Sequence, residues 1–408
     1  MSSRYLNKNN IMESIIKRCT LALIMCGLSA IGMAQEIFSE SFTGYPNDVV
    51  ANIEGWTFYK CVTRTTSTLW PTSVLSIEKN SKTGDKYGYA TTPILNNTDN
   101  TIRAILYFKM ASLGASSKSE INISIPNNKG SIDGAGSVNT TATGQTLRKK
   151  TFLLSLSKDA KIKFLLKSND YAAIDDIVIV KDTLSEGTDN QYYLTAHNDK
   201  ETDVHTKRTL TGGIWNTLCL PFNVTKATME AVLGENQDVQ LRTYTGFANN
   251  VMTFSEVTGD NVITAGTPFL LKLNTTVTNP TFNSVTVSNS TAAQTVTRGD
   301  VSFIGTYSQK ELATDGTELF ITTSGGLAIP TTTGNLMNGM RAYIKVPEGM
   351  AFTPGGVRLA IDNETTSIQS VMTTSQPDAV YNLSGQRLQQ PRKGLNIVRK
   401  NRKLIFIR

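Results

Sequence analysis

The sequence predicts an all-β protein, with an N-terminal jelly-roll or β-sandwich module, a second β-rich domain and a small C-terminal β-meander. Three observations lead there. Apolar and β-branched residues gather in runs of strand length, separated by Gly, Pro, Asn, Asp and Ser. No long segment keeps the 3.6-residue apolar period of an amphipathic helix, which argues against an α/β enzyme fold. Of the 408 residues 39% are hydrophobic, enough for folded cores, while only 18% are charged and Thr, Ser, Asn and Gly abound.

Residues 1–34 read as a secretory signal. Lys17 and Arg18 precede the apolar run LALIMCGLSAIGMA, whose small residues Gly32 and Ala34 suit cleavage before Gln35. The run is too short to be a transmembrane span, and Met25 is too bulky a neighbour for Cys26 to be a lipoprotein acceptor. Residues 35–182 form the first module, with strands expected in IFSESF, WTFYKCV, SVLSIEK, YGYATTPIL, IRAILYFKMA, EINISIP, KTFLLSLS, KIKFLLKS and AAIDDIVIVK. Their length and spacing suit a sandwich.

The polar residues 183–191 read as a linker. Residues 192–362 form the second domain, whose one expected helix, KATMEAVLG, is capped by Thr225 and stopped by Gly234. Within it AGTPFLLKL and NGMRAYIKVP echo each other, each a Gly turn leading into a half-buried strand. Residues 363–379 read as a flexible Thr/Ser-rich spacer. Residues 380–408 form the tail, with short strands around turns at Ser384–Gly385, Pro391 to Gly394 and Asn401.

The formal charge is +7, and its placement matters more than its size. Arg4, Lys8, Lys17 and Arg18 against Glu13 give the N-terminal segment +3, and eight basic residues with no acid give the tail +8, which leaves the body at −4. A mildly acidic body removes the main support for a nucleic-acid partner.

The tail strings VYNLSGQR and KGLNIV, followed by a basic hairpin and KLIFI, resemble the C-terminal sorting domain of the type IX (Por) secretion pathway. The resemblance implies passage across the outer membrane to the cell surface or beyond, with the secretion machinery as a partner. In the first module FSESF, the Gly55-Trp56 pair, ATTPIL and Ile174-Asp175-Asp176-Ile177 resemble the cleaved-adhesin and choice-of-anchor jelly rolls of surface proteins. In related jelly rolls the first and last strands bring oxygen ligands together around a hard cation. That implies a structural Ca²⁺ held by Glu40, Asp175 and Asp176, with Asp48 a weaker candidate. Neighbouring strand residues face opposite ways, so both aspartates reach one site only through a bulge. Asp182-Thr183-Leu184 resembles a short acceptor for O-glycosylation in such bacteria.

A sugar-binding sandwich needs an aromatic platform beside amides and carboxylates, because a pyranose has apolar faces and a hydroxyl rim. Trp56, Tyr59, Trp70, Tyr87 and Tyr89 lie in one half of the first module. Trp56 reads as core. Trp70, between turn residues, reads as the exposed platform, with Tyr87 and Tyr89 as further ligand-binding residues. Cys61 and Cys219 sit among apolar neighbours and read as inert buried thiols. His197 and His205 fit no metal spacing and read as exposed polar residues. No nucleophile elbow, phosphate loop or dinucleotide fingerprint is present, so no catalytic residue is assigned. The expectation is an exported, non-catalytic, adhesin-like binding protein for glycan or a surface protein. A hydrolase or accessory subunit acting on polysaccharide, and a structural surface component, are the alternatives.

Overall fold

The computed structural model describes residues 36–66, 70–79, 87–289, 293–332, 334–352 and 356–361, together with the backbone of short strands as far as residue 407. The expected export signal, and most of the expected spacer, lie outside the described residues.

The first block is a sandwich of two sheets. Its strands are β1 (Glu36–Glu40), β2 (Val49–Val50), β3 (Thr57–Tyr59), β4 (Cys61–Thr66), β5 (Trp70–Ile77), β6 (Tyr89–Thr91), β7 (Ile102–Ser112), β8 (Lys118–Ser124), β9 (Gly130–Ile132), β10 (Ser137–Thr143), β11 (Arg148–Leu156), β12 (Lys163–Leu166) and β13 (Ala172–Lys181). The larger sheet runs β2-β4-β5-β13-β7-β11-β9, with β1 also paired to β13, and the smaller runs β10-β8-β12-β6-β3. Period-two alternation fills the space between them. Ile121, Ile123, Phe164 and Leu166 point inward from the smaller sheet, against Leu106, Phe108, Met110, Ile174 and Ile179 of the larger. Phe108 and Phe164 meet edge-on at 5.4 Å across the gap. Each such buried ring contributes about 1.5–3 kcal/mol.

Strand β7 departs from simple alternation, because Ile105 and Tyr107 are buried on its other face as well. What covers that face is the second block. Ile105 belongs to the second block's core, and Leu153 of β11 and Val180 of β13 pack against the same core. Helix α1 (Gln191–His197) lies over β7 and β11, and Tyr192 on it meets Tyr107 with ring centroids 5.1 Å apart.

Residues 183–191, expected as an open linker, are therefore a buried seam. Leu184–Ser185 is a short strand, β14, paired parallel to β15 (Glu201–Lys207). Leu184, Ser185, Thr188 and Asn190 are all buried, as is Asp182. Asn190 ties the seam down, donating through Nδ2 to the carbonyls of Ser185 (2.8 Å) and Tyr307 (2.6 Å). The O-glycosylation resemblance at Asp182-Thr183-Leu184 falls in this seam, where both flanking side chains are enclosed. Composition misleads here because polar residues suggest a solvated segment, whereas these are buried, with the Asn190 amide bonding across the seam.

The charged centre of the seam joins the two blocks. Arg103 of β7 donates to Asp182 Oδ2 through Nε (3.1 Å) and Nη2 (2.9 Å), while His197 Nε2 donates to Asp182 Oδ1 at 2.6 Å. His197 is thus buried, not exposed as expected. His205 is half-buried and accepts from Arg103 Nη1 (3.3 Å), since an arginine can only donate.

The second block holds a six-stranded and a five-stranded sheet besides smaller pairings. The two echoing strings give Phe269–Lys272 and Arg341–Lys345, each paired on both sides within its own sheet. Three consecutive side chains of each are buried, so these strands are enclosed on both faces instead of half-buried. Helix α2 (Lys226–Leu233) forms where expected, with Thr225 Oγ1 accepting from the Thr228 amide at 3.1 Å and Gly234 at φ 108° closing it. Among the described residues no helix is long and apolar enough to cross a membrane.

In the tail, backbone strands run Arg387–Leu388, Ala379–Tyr381, Asn396–Lys400 and Lys403–Ile407 in spatial order. This is not a simple meander, because Ala379–Tyr381 pairs with both the second and the third strand.

A shared apolar seam predicts that the two blocks unfold as one unit. Calorimetry should show a single transition, and Ile105→Ala should destabilise it by about 2–5 kcal/mol. Two transitions, with only the first moved by the substitution, would contradict the shared seam.

Candidate functional site

The second block covers the larger sheet's outer face around Ile105, Leu153 and Val180, whereas the outer side of the smaller sheet is open to a ligand. Its register lines up one residue from every strand. Tyr59 lies opposite Tyr89, Tyr89 opposite Leu165, Leu165 opposite Asn122, and Asn122 opposite Asn139. At about 4.8 Å between strands, this row runs about 19 Å across the sheet. It grades from aromatic through aliphatic to amide. The neighbouring row is Thr57, Thr91, Lys163, Ser124 and Ser137. Glu120 and Thr141 lie opposite each other on the far side.

The aromatic end is built by packing. The Tyr59 and Tyr89 rings stack with centroids 5.7 Å apart and planes at 25°. The Lys163 ammonium stands 4.1 Å from the Tyr89 ring centre. Both tyrosines are half-buried, as is Leu165 beside Tyr89 in the register. At the amide end Asn122 Nδ2 donates to Asn139 Oδ1 at 2.7 Å, which orients both amides.

The other expected aromatic residues lie elsewhere. Trp70 is 2% exposed, not a surface platform; its ring packs with Val74, Ala111 and Ala173, and its Nε1 donates to the Gln145 carbonyl at 3.0 Å. Turn residues around Trp70 suggested exposure, but the chain turns it onto the sheet. Tyr87 packs against the sandwich core. Trp56 is part of the core margin, stacked on Phe58 at 5.4 Å.

The carboxylates proposed for Ca²⁺ are neighbours, and the bulge they require is present. Asp176 adopts φ 47°, and the pairing of β13 with β7 slips between Asp175 and Val178. Glu40, opposite Ile177 on β1, uses one oxygen to accept from the Phe42 amide at 3.0 Å. Asp176 is taken by Lys109 Nζ at 2.5 Å, so an ammonium already supplies the positive charge. Among the described residues no three His, Cys, Asp or Glu side chains are placed to share one ion. The residues do not fit a Ca²⁺ site, and Asp48 is engaged elsewhere, with Arg64 at 2.7 Å.

Asp175 is almost fully buried, and its Oδ1 has no hydrogen-bond partner. Burial first, and then the charge of Asp176, push its carboxyl up to about 7. Cys61 and Cys219 are free and buried, and burial pushes both thiols up to about 12, so neither is a ready nucleophile. A cavity of about 270 Å³ in the second block is lined by Thr217, Phe320, Asn335, Met337, Asn338 and Arg341 among others. It has no Asp or Glu in its lining and so lacks the paired acids of a glycosidase.

No family model and no curated protein matches the chain. Among solved structures it is similar to an arabinose-bound α-L-arabinofuranosidase, at 14% identity over 38% of this chain and 28% of that one, with a TM-score of 0.28. It is also similar to the K1 cleaved adhesin domain of Lys-gingipain from Porphyromonas gingivalis W83, at 14% identity over 35% and 96% of the two chains, TM-score 0.26. A third is the C-terminal family 22 carbohydrate-binding module of Clostridium thermocellum Xyn10B, at 12% identity over 36% and 93%, TM-score 0.26. The match thus spans well under two thirds of the arabinofuranosidase. Likeness at these scores carries no weight for function.

Asp175 sets a pH dependence. The unfolded chain loses this proton near 3.8 while the folded chain keeps it to about 7. Stability from this group therefore falls as pH rises through that window and is constant above it. Asp175→Asn should flatten thermal stability across the window and raise it at pH 8. An unchanged profile would show that the carboxyl titrates as an ordinary one.

Proposed function

We propose that this chain is an exported, non-catalytic glycan-binding protein whose ligand is a polysaccharide strand laid across the outer face of the smaller sheet. The Tyr59–Tyr89–Leu165–Asn122–Asn139 row carries the reading. Tyrosine and leucine offer the apolar surface on which a pyranose rests, and the amides offer both donors and acceptors to its hydroxyls. A shallow, open face suits a chain that enters from either side, where a deep pocket would select a chain end. Export is supported by the Lys17-Arg18 and LALIMCGLSAIGMA pattern, and surface delivery through the secretion machinery by the sorting-like tail. Ca²⁺ has no part in this reading.

Affinity electrophoresis of the full chain through gels carrying individual plant and bacterial polysaccharides tests it. At least one should retard the protein. Tyr89→Ala should weaken that retardation about tenfold, equivalent to ~1.4 kcal/mol, with the fold intact by circular dichroism. Retardation by none, or retardation untouched by Tyr89→Ala, would refute the proposal. Trp70→Ala acts differently, costing about 3–5 kcal/mol of stability through the cavity it leaves. For export, deleting residues 380–408 should hold the protein back from the cell surface in fractionated cells. Unchanged surface delivery would refute the sorting role of the tail.

A further inference from the structure

Charge on the smaller sheet runs against the rest of the body. The body's net charge is −4. Along β12 and its flanks, however, inward Ile162, Phe164 and Leu166 alternate with Lys161, Lys163, Leu165 and Lys167, so three lysines share the outer face. Lys161 to Lys167 spans about 20 Å at ~3.3 Å per residue. Lys118 on β8 projects to the same side, and Glu120 is the one acidic residue at the outward positions of these strands. None of the four lysines makes an ion pair among the described residues. Lys163 is oriented by the Tyr89 ring beneath its ammonium, which ties the charge to the aromatic end of the row.

Like charges two and four residues apart on one face repel each other and are not explained by the packing of the sandwich. The arrangement is complementary to a ligand that brings negative charge over β12, where Lys163 and Lys167 flank Leu165 on the outer face. We propose that the glycan is anionic, bearing carboxylate or sulfate groups, and that Lys161, Lys163 and Lys167 read that charge while the tyrosine–leucine–asparagine row reads the sugar. This rests on the glycan-binding reading above. The ligand crosses the sheet along the row and meets the lysine line on β12 at the centre of the face.

The test uses the full chain and two matched pairs, polygalacturonate against its fully methyl-esterified form and dextran sulfate against dextran. The first pair isolates carboxylate charge and the second sulfate. The basic tail is a competing source of attraction, so two triple variants are compared, Lys161→Gln/Lys163→Gln/Lys167→Gln on the face and Arg399→Gln/Lys400→Gln/Arg402→Gln in the tail. The charged member of at least one pair should retard the protein more than its neutral partner. The face variant should lose about tenfold or more in affinity for it and the tail variant little, and raising salt from about 50 to 500 mM should weaken binding as the lysines are screened. Equal binding to charged and neutral members, or loss of binding in the tail variant alone, overturns the anionic assignment and leaves glycan binding standing. Retardation by no polysaccharide, in these pairs or in the wider set above, overturns the glycan reading itself.

Discussion

The apolar outer face of the larger sheet is the constraint on which the rest of the molecule depends. A sandwich needs one buried face per sheet, yet β7, β11 and β13 present Ile105, Leu153 and Val180 on the side away from their own core. Exposed, that surface would invite association with any apolar partner. The second block covers it, through α1 and the seam that follows β13. Two consequences follow from this single fact. The two blocks share one core boundary, and the polar outer face of the smaller sheet is left to solvent.

Covering that face also encloses charge, which is costly without partners. Asp182 is enclosed together with Arg103 and His197, so its desolvation is offset by two donors from opposite sides of the seam. Burial alone would raise this carboxyl, but the His197 hydrogen bond and charge, with those of Arg103, hold it below the usual carboxylate range. Its contribution is therefore complete above the ordinary carboxylate value and fades as pH falls through the lowered one. The Asp175 carboxyl has the opposite sign, being buried beside a like charge and pushed upward. Two acids, one in the first half of β13 and one just past its end, thus pull stability in opposite directions with pH, one holding the blocks together and the other weakening the sheet when ionised.

Much of the architecture is legible in the sequence because period two is a local signal. The strands of the first block, the Thr225 cap and the Gly234 stop follow from neighbours a few residues apart. The seam is not legible in this way. Helix α1 has seven residues, including two tyrosines and a threonine, and its Asn190 side chain makes no capping bond, so tertiary burial and not propensity holds it. His197 looks like any polar residue until Asp182 and Arg103 are brought to it from elsewhere in the chain. Likewise Tyr89 is identifiable as an aromatic candidate, but its row with Tyr59, Leu165, Asn122 and Asn139 exists only in the register, which pairs residues up to 76 positions apart. Trp70 shows the converse, because nearby turn residues suggest exposure and the ring is enclosed.

Hydroxyl-radical footprinting of the full chain, free and with a retarding polysaccharide, tests this account most directly because it reads side-chain accessibility on both sheet faces at once. Tyr59, Tyr89 and Leu165 should be oxidised in the free protein and protected by the polysaccharide, while the enclosed seam residues Ile105 and Leu184 stay protected in both states. Oxidation of Ile105 and Leu184 in the free protein, or protection by polysaccharide on the second block with none at Tyr59 and Tyr89, would contradict it.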